Sequence, residues 1–279
     1  MFKNIIFIWR HLPEFIDPIA LRIGPLQVHW YGIMYMFSFL VSYITILYRL
    51  NKANMDISKK IFDEYFFWMV IAILIGSRLG YVLFYNFDYY IRNPLEIILP
   101  FEFKENIRFV GISGLSYHGG LIGLVVGTLI FCYKNRVDFW KLADLVSFGV
   151  PLGYTFGRIG NFLNRELYGR PTSFFLGMYF PSDPLNKLRH PSQLYEAFFE
   201  GIFLFLILLA IHKRIKKIKG LVFCFYLLGY GILRFVIEYF RQPDPQLGFV
   251  VDSLTMGQIL CLFMVITGIC LGVLRYIRK

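Results

Sequence analysis

The sequence predicts an all-α polytopic membrane protein with about seven transmembrane helices, an outside N-terminus and a cytoplasmic C-terminus. Of its 279 residues, 57% are hydrophobic and only 17% are charged, whereas about a quarter of the residues in a soluble domain are charged. Seven apolar stretches are each long enough to cross about 30 Å of hydrocarbon as a helix. The basic residues also concentrate in short segments between these stretches, which is typical of membrane proteins.

The apolar stretches divide the chain into spans and connecting segments. They lie near 31–49, 61–85, 117–133, 139–157, 192–211, 221–240 and 254–275. Segments 86–116 and 162–191 are the largest pieces outside the predicted spans, and their prolines and glycines predict loops. No internal repeat or second soluble domain is visible, so we expect residues 1–279 to form a single integral membrane domain.

The distribution of lysine and arginine predicts the orientation. Short, dense basic segments follow the first, third, fifth and seventh spans, and the run at 213–219 (KRIKKIK) contains no acid. The positive-inside rule places these segments in the cytoplasm. The run is then a topology signal and a contact for anionic lipids, and the net charge of +11 does not indicate nucleic-acid binding.

Several classes of site are not predicted. The cysteines all lie in apolar runs without metal-ligand spacing, which predicts buried side chains; they are Cys132, Cys224, Cys261 and Cys270. The sequence has no nucleophile elbow, phosphate-binding loop or metal-binding helix motif, so neither a metal nor a cofactor is expected. The first thirty residues lack the apolar region of a cleavable signal peptide.

Polar residues of six predicted spans fall at one depth, near their outer ends. Ionisable groups inside a membrane are costly and are functional-site candidates by default. The most informative group is the run 157–169 (GRIGNFLNRELYG), which follows an apolar helix. The polar residues at this depth are Tyr31, Arg78, His118, Arg158, Asn161, Glu196, Arg234, Glu238 and Arg241, with Glu166 close behind in the run.

The sixth span carries a polar stripe. At 100° per residue, Tyr230, Arg234, Glu238 and Arg241 fall within about 80° of one another. Arg234 and Glu238 are four residues apart and can form a structural ion pair. However, several cations at one depth would repel one another unless an anion lay among them. Because the guanidinium fork binds phosphate well in a partly desolvated pocket, we expect this anion to be a phospholipid headgroup.

His118 precedes a glycine pair and has two interpretations. A lone histidine in a membrane is often a hydrogen-bonding group between helices. Near arginines its pKa would fall, which would make the neutral imidazole a usable base. Glycines recur at four-residue spacing in the second and third spans and predict close helix packing; they are Gly76, Gly80, Gly119, Gly123 and Gly127.

Residues 157–169 resemble, at every defined position, the signature of the bacterial prolipoprotein diacylglyceryl transferases. Six further blocks resemble that family in the same order, so the resemblance covers nearly the whole chain. They are residues 29–32, 76–81, 118–123, 189–196, 234–244 and 256–258. Segment 170–188 resembles the family least.

The resemblance implies a function. This family transfers the diacylglyceryl group of phosphatidylglycerol to the lipobox cysteine thiol of a preprolipoprotein, forming a thioether and releasing glycerol phosphate. It implies a location in the bacterial cytoplasmic (inner) membrane, with the active site near the outer, periplasmic face. Partners would be these two substrates and the surrounding membrane lipids.

The resemblance also implies roles for residues. Arg158 and Arg234 would hold the lipid phosphate, and His118 would be the candidate base. The alternative is that an arginine-rich field lowers the thiol pKa enough without a dedicated base. The remaining predicted substrate-binding residues shape the site, orient Arg234 or contact substrate at its rim. They are Tyr31, Arg78, Asn161, Glu166, Gly169, Tyr230, Glu238 and Arg241.

Two other classes of protein would also place arginines in a membrane. A phospholipid transporter or scramblase would have an arginine-lined headgroup cavity, but it also needs polar residues along its whole path, and the inner halves of the predicted spans are almost purely apolar. A structural scaffold would not need so many converging cations.

Overall fold

The computed structural model describes residues 2–24, 26–53, 57–99, 101–103, 107–109, 114–243, 249–251 and 254–278. The described chain is mostly helical, and helices occupy all seven predicted spans. By length and composition, four are able to cross a membrane: Trp30–Lys52, Lys59–Tyr85, Ser192–Ile215 and Met256–Ile277. These findings confirm the predicted all-α polytopic class. The orientation of the helices stays a prediction.

The elements follow one another as helices with short hairpins between them. In chain order they are α1 (Phe2–Phe15), β1 (Ile19–Ile23), β2 (Leu26–His29), α2 (Trp30–Ala53), α3 (Lys59–Tyr85), α4 (Phe87–Arg92), a 3-10 turn (Pro94–Ile97), β3 (Phe101–Phe103), β4 (Ile107–Phe109), α5 (Tyr117–Asn135), α6 (Phe139–Leu163), α7 (Ser192–Glu196), a π-helical segment (Ala197–Phe203), α8 (Leu204–Ile215), α9 (Leu221–Ile237), β5 (Phe249–Val251), β6 (Leu254–Thr255) and α10 (Met256–Ile277). Strands β1–β2, β3–β4 and β5–β6 form antiparallel pairs.

The helices group into two compact units. One comprises Met1–Lys52 and Trp140–Lys279, and is called the large unit below; the other comprises Ala53–Phe139, and is called the small unit. The predicted single domain, with outer segments near 86–116 and 162–191, stays a prediction.

The small unit is built on close packing of α3 against α5. A β-carbon added to Gly80 would lie 2.6 Å from the Cα of Gly119, and one added to Gly76 would overlap the Gly119 carbonyl. A β-carbon at Gly123 would lie 3.0 Å from the Cα of Gly76. These glycines therefore form the close-packing seam that their spacing predicted, because only glycine lets the two backbones approach so closely.

The core of the large unit holds α6, α8 and α9 together. Phe148, Leu204, Leu208 and Val222 form one buried apolar cluster. At the α6 N-terminal end, the Asp144 carboxylate accepts hydrogen bonds from the backbone N–H groups of residues 220 and 223, at 2.6 and 2.8 Å. This carboxylate satisfies orphan donors at the start of α9 and fixes α9 against α6.

Helix α1 was not predicted. One of its sides packs on the segment after α6, where Trp9 Nε1 donates to the Leu176 carbonyl at 3.1 Å and the Arg10 carbonyl accepts from the Tyr179 N–H at 2.8 Å. Its other side exposes apolar residues such as Phe7. The helix has two chemically different sides, which is typical of segments that lie in a membrane interface.

Two helix ends and one helix type near the site differ from the predicted spans. The fourth span continues as α6 to Leu163, so the polar residues Arg158 and Asn161 lie within the helix. The fifth span contains the π-helical segment Ala197–Phe203. The sixth ends at Ile237, so Arg241 lies beyond α9 and not in its polar stripe. A proline at 243 disfavours helical conformation in the residue before it and cannot supply an N–H to a continuing helix.

Candidate active site

Polar helix ends of the large unit meet at one place. The C-terminal end of α6 contacts the start of α2, since a β-carbon added to Gly160 would lie 3.6 Å from the Tyr31 Cα. The α9 C-cap, Glu238, accepts a 3.1 Å hydrogen bond from Thr255, the N-cap of α10. These contacts bring polar residues that are distant in the sequence to one end of the unit.

Arg158 is held by a carboxylate, an amide and an aromatic ring. Its Nε lies 2.9 Å from Glu196 Oε2, and its Nη1 donates to Asn161 Oδ1 at 3.2 Å. Its guanidinium carbon lies 4.7 Å from the centre of the Tyr154 ring. Arg158 Nη2 makes no hydrogen bond or ion pair with a described residue. The guanidinium edge that carries Nη2 is therefore available to a ligand.

Arg234 is enclosed by three carboxylates. Its Nη1 lies 2.8 Å from Glu196 Oε2 and 3.5 Å from Glu200 Oε1, and its Nη2 lies 2.9 Å from Glu238 Oε2. The Arg234 side chain is 11% exposed, whereas that of Arg158 is 18% exposed. Arg158 is therefore the more accessible of the two guanidinium groups, and Arg234 holds the surrounding acids in place.

Glu196 joins the two arginines. Its Oε2 contacts both guanidinium groups and also accepts a hydrogen bond from the Tyr154 hydroxyl at 3.1 Å. The Tyr154 hydroxyl lies closer to Glu200 Oε2, at 2.6 Å. Both carboxylates are fully buried. We call Tyr154, Arg158, Glu196, Glu200 and Arg234 the arginine cluster.

The arginine cluster shows which anion lies among the predicted cations. The predicted cations required an anion among them, and a phosphate was expected to be that anion. In the structure the anion between Arg158 and Arg234 is the carboxylate of Glu196, and Glu200 pairs with Arg234. The predicted Arg234–Glu238 ion pair is present as well. A bound phosphate would add to a network in which carboxylates already pair both arginines.

Asn161 and Glu166 extend the network away from the helices. Asn161 Nδ2 donates to Glu166 Oε1 at 2.8 Å, and Asn164 Nδ2 donates to Glu166 Oε2 at 3.0 Å. Both oxygens of Glu166 are therefore engaged. The predicted orienting role of Glu166 has this geometric basis.

Gly169 lies where two chain segments meet. Its N–H donates to the His190 carbonyl at 2.8 Å, and it pairs with Arg241 in an isolated β-bridge. An added β-carbon would overlap the Phe240 carbonyl and lie 2.8 Å from the His190 Cβ. A larger residue at Gly169 would therefore push the segment bearing Arg241 away from the site.

The segment after α6 has its own buried ion pair. Arg189 donates to both oxygens of Asp183, at 2.7 and 2.8 Å, and to Gln242 Oε1 at 3.2 Å. These hydrogen bonds from Arg189 hold the pKa of Asp183 below its usual range. Burial lowers the pKa of His190, so its imidazole is neutral near pH 7.

The two predicted tyrosines lie next to this network. The Tyr230 ring packs edge-on against the Tyr154 ring, with the ring centres 5.8 Å apart. The Tyr31 ring lies 4.6 Å from the Tyr35 ring on α2. Both tyrosines thus belong to the large unit, as do Arg158, Arg234 and their partners.

Arg78 and His118 belong to the small unit. The Arg78 guanidinium donates to the carbonyls of Ile97, Gly114 and Glu96, at 2.8, 3.2 and 2.5 Å, and thereby fixes the segment after α3. His118 is exposed in the first turn of α5. That both residues join the arginine cluster stays a prediction.

Sequence reasoning missed Tyr154 and Glu200 as site residues, and it placed Glu196 at the depth of the arginines without predicting that it joins two of them. A signal for the acids was present: two glutamates four residues apart in an apolar span can both face the helix side that meets Arg158. Tyr154 had no such signal, because tyrosines are frequent in this chain. Among the described residues, no group of three or more histidine, cysteine, aspartate or glutamate side chains is arranged to hold a metal ion.

Comparison with known proteins identifies close relatives. The family model for prolipoprotein diacylglyceryl transferase matches residues 18–274. A phosphatidylglycerol–prolipoprotein diacylglyceryl transferase of Chlorobaculum tepidum is 46% identical over 97% of this chain and 93% of its own length. The Campylobacter lari and Wolinella succinogenes proteins of the same name are 46% and 44% identical, over 97% of this chain and 98% and 97% of their own lengths.

Proposed function

The chain belongs to the prolipoprotein diacylglyceryl transferase family, and we propose that its arginine cluster is where the lipid phosphate is held during transfer. The protein transfers the diacylglyceryl group of phosphatidylglycerol to prolipoproteins. The observation that carries the proposal is the buried Arg158–Glu196–Arg234 bridge at the end of the helices. A transporter would not need such a bridge.

Arg158 binds the phosphate of phosphatidylglycerol. Its Nε and Nη1 are fixed by Glu196 and Asn161, so the direction of Nη2 is set before the lipid arrives. A preorganised charged donor costs no reorganisation when charge develops on the leaving phosphate. Arg234 is less exposed than Arg158 and acts by holding Glu196.

The acceptor is the lipobox cysteine thiol of the prolipoprotein. Its thiolate attacks the glyceryl carbon that carries the phosphate ester, so a C–S bond forms and the C–O bond to phosphate breaks. The electron pair of the broken bond leaves with glycerol phosphate. A thiolate and a phosphodiester, each with one negative charge, thus give a neutral thioether and a doubly charged phosphate monoester. Arg158 meets the oxygen on which this charge appears.

His118 accepts the thiol proton. A thiol with a pKa near 8.5 is mostly protonated at neutral pH and needs a base or a positive field. We expect His118→Gln to insert normally and to transfer lipid about 100-fold more slowly at pH 7, with recovery above pH 9, as a missing general base requires. Near-normal transfer at pH 7 would remove His118 as the base and leave the arginine field as the cause of thiol ionisation.

The reaction takes place near the outer face of the bacterial cytoplasmic membrane. The arginine cluster lies near the C-terminal ends of α6 and α9. Basic segments, including the run at 213–219, precede the N-terminal ends of these helices and predict that those ends face the cytoplasm. The cluster is therefore expected on the outer side. Glycerol phosphate is hydrophilic and leaves on that side.

A transfer assay tests the proposal. Purified protein in phosphatidylglycerol vesicles, labelled in the diacylglyceryl group, is given a lipobox peptide, and the lipid label on the peptide is measured. We expect wild type to label the peptide, and Arg158→Ala to lose about 100-fold or more of the rate, because one charged transition-state donor contributes about that much. The control is Arg22→Ala, which removes an exposed arginine paired with Asp17 in the same unit. If Arg158→Ala labels peptide at the control rate, the proposed role is wrong.

A further inference from the structure

A water-open cavity of about 350 Å³ lies beside the predicted site residues. One wall is the loop 164–168, which follows α6, and the facing wall is the segment 241–243, which follows α9. All of these residues belong to the large unit. None of the roles proposed above requires a cavity at this place.

The loop wall is strained and held rigidly. Arg165 and Leu167 both have φ of 57°, in the left-handed region that residues other than glycine rarely adopt. Such strain costs about 1–3 kcal/mol per residue and persists only where the surroundings impose it.

Side chains impose this conformation through three successive carbonyls. The carbonyl of Arg165 accepts from Ser182 Oγ, that of residue 166 from Gln193 Nε2 at 2.5 Å, and that of Leu167 from Ser192 Oγ at 3.0 Å. The cavity wall is therefore preformed, and a ligand would not have to order it.

Two arginines, Arg165 and Arg241, are among the residues that line the cavity. In the part of the chain that the structure describes, neither guanidinium group is in direct contact with a carboxylate, although Arg241 lies close enough to Glu196 to interact with its charge. The acid in the same wall, Glu166, is occupied by two asparagine amides. The two arginines in the cavity walls favour a negatively charged ligand.

Hydrogen bonds connect this wall with the arginine cluster. Arg158 donates to Asn161, Asn161 donates to Glu166, and Asn164 donates to the other oxygen of Glu166. These hydrogen bonds therefore run from Arg158, the residue proposed to bind the lipid phosphate, to the wall of the cavity. The cavity itself opens to water.

We propose that this cavity binds the released phosphate monoester, glycerol phosphate, before it reaches water. The inference rests on the proposed function, in which the headgroup changes from a singly charged diester to a doubly charged monoester when the C–O bond breaks. The phosphate in the arginine cluster meets guanidinium groups that carboxylates already pair. Arg165 and Arg241 make no direct contact with a carboxylate among the described residues, so they favour the more highly charged product over the lipid headgroup.

The test measures product and lipid affinity separately. Full-length protein in phosphatidylcholine nanodiscs is titrated with glycerol phosphate and, in a second arm, with inorganic phosphate, and heat of binding is recorded. We expect wild type to bind glycerol phosphate and Arg165→Gln to bind it about tenfold more weakly. The variant's KM for phosphatidylglycerol should stay within about twofold of wild type, and product inhibition of transfer should weaken in parallel.

The matched control is Arg136→Gln, because Arg136 is also an arginine with positive φ, at 54°, but lies at the end of α5. A second variant, Gln242→Glu, adds a negative charge to the facing wall and should also weaken product binding, which keeps the test decisive if Arg165→Gln fails to fold.

Four results would overturn the proposal. They are absent binding of glycerol phosphate to wild type, equal binding by inorganic phosphate and glycerol phosphate, unchanged affinity in both variants, and a loss in Arg165→Gln that affects the phosphatidylglycerol KM alone. The last result would assign the cavity to the lipid headgroup. If wild type does not transfer lipid at all, the proposed function fails, whatever the binding data show.

Discussion

At the scale of single residues, the site is an ionic network in which acids outnumber arginines. Arg158 and Arg234 were predicted because an arginine in an apolar helix is conspicuous in a sequence. Their pairing could not be predicted, since it depends on α7 and the π-helical segment delivering Glu196 and Glu200 to the same place. Whether a cation is free or paired is a property of neighbours that are distant in the chain.

Replacement of Glu196 tests this pairing. Glu196→Gln keeps the side-chain shape but removes the charge that Arg158 and Arg234 share. We expect the transfer rate to fall about 100-fold because both guanidinium groups then change direction, and stability to fall by about 3–5 kcal/mol, as when a buried pair loses one partner. Transfer kinetics and thermal unfolding in detergent measure the two effects.

Glu14→Gln is a suitable comparison, because Glu14 pairs with His11 on the exposed surface of α1. Exposed pairs contribute about 0–1 kcal/mol, so this variant should behave as wild type. A Glu196→Gln protein that also behaves as wild type would contradict the bridging role.

At the scale of secondary-structure elements, the length of the apolar stretches predicted all seven helices, but their ends and internal irregularities were not predicted. Helix α6 runs to Leu163 through polar residues, which hydropathy treats as an end. Segment Ala197–Phe203 is π-helical although its sequence is as apolar as an α-helical span. Such departures are common at functional sites and follow from tertiary contacts.

Gly201 provides one such contact. A β-carbon there would overlap Thr155 Oγ1 on α6 and lie 3.1 Å from the Pro151 carbonyl. We expect Gly201→Ala to push the π-helical segment from α6, to destabilise the protein by about 1–3 kcal/mol, and to lower transfer by displacing Glu200. Thermal unfolding and the transfer assay measure this.

Gly157→Ala is the matched variant on α6, because a β-carbon at Gly157 meets no described atom within 4 Å. Its unfolding temperature should be no lower than that of wild type, because alanine is a better helix former than glycine. Equal unfolding temperatures for both variants would mean that the close approach at Gly201 does not stabilise the segment.

At the scale of the whole molecule, composition alone was enough to predict a helical membrane protein, and motif resemblance was enough to predict its family. The grouping of helices into two units was not predicted, because hydropathy carries no information on which helices pack together. The glycine seam of α3 and α5 is the exception, since four-residue glycine spacing directly indicates close packing. His118 and Arg78 lie in the small unit, and their part in the site stays a prediction from the family resemblance.

The orientation of the molecule is testable by cysteine labelling. In a background without the native cysteines, Lys187→Cys and Lys217→Cys each place one thiol at an exposed position at opposite ends of the large unit. We expect a membrane-impermeant maleimide to label position 187 in intact spheroplasts, and position 217 only after permeabilisation, because the run at 213–219 is predicted to be cytoplasmic. The reverse pattern would invert the proposed topology and place the arginine cluster on the cytoplasmic side.

The central claim is that Arg158, fixed by Glu196, holds the phosphate of phosphatidylglycerol. The most direct measurement is the affinity of the purified protein for phosphatidylglycerol in phosphatidylcholine nanodiscs, compared between wild type, Arg158→Gln and Arg22→Gln. We predict that Arg158→Gln weakens phosphatidylglycerol binding by about tenfold or more, as expected for loss of a charge-assisted hydrogen bond of about 1.5–3 kcal/mol. Arg22→Gln should bind as wild type does. Equal affinity in all three proteins would contradict the claim.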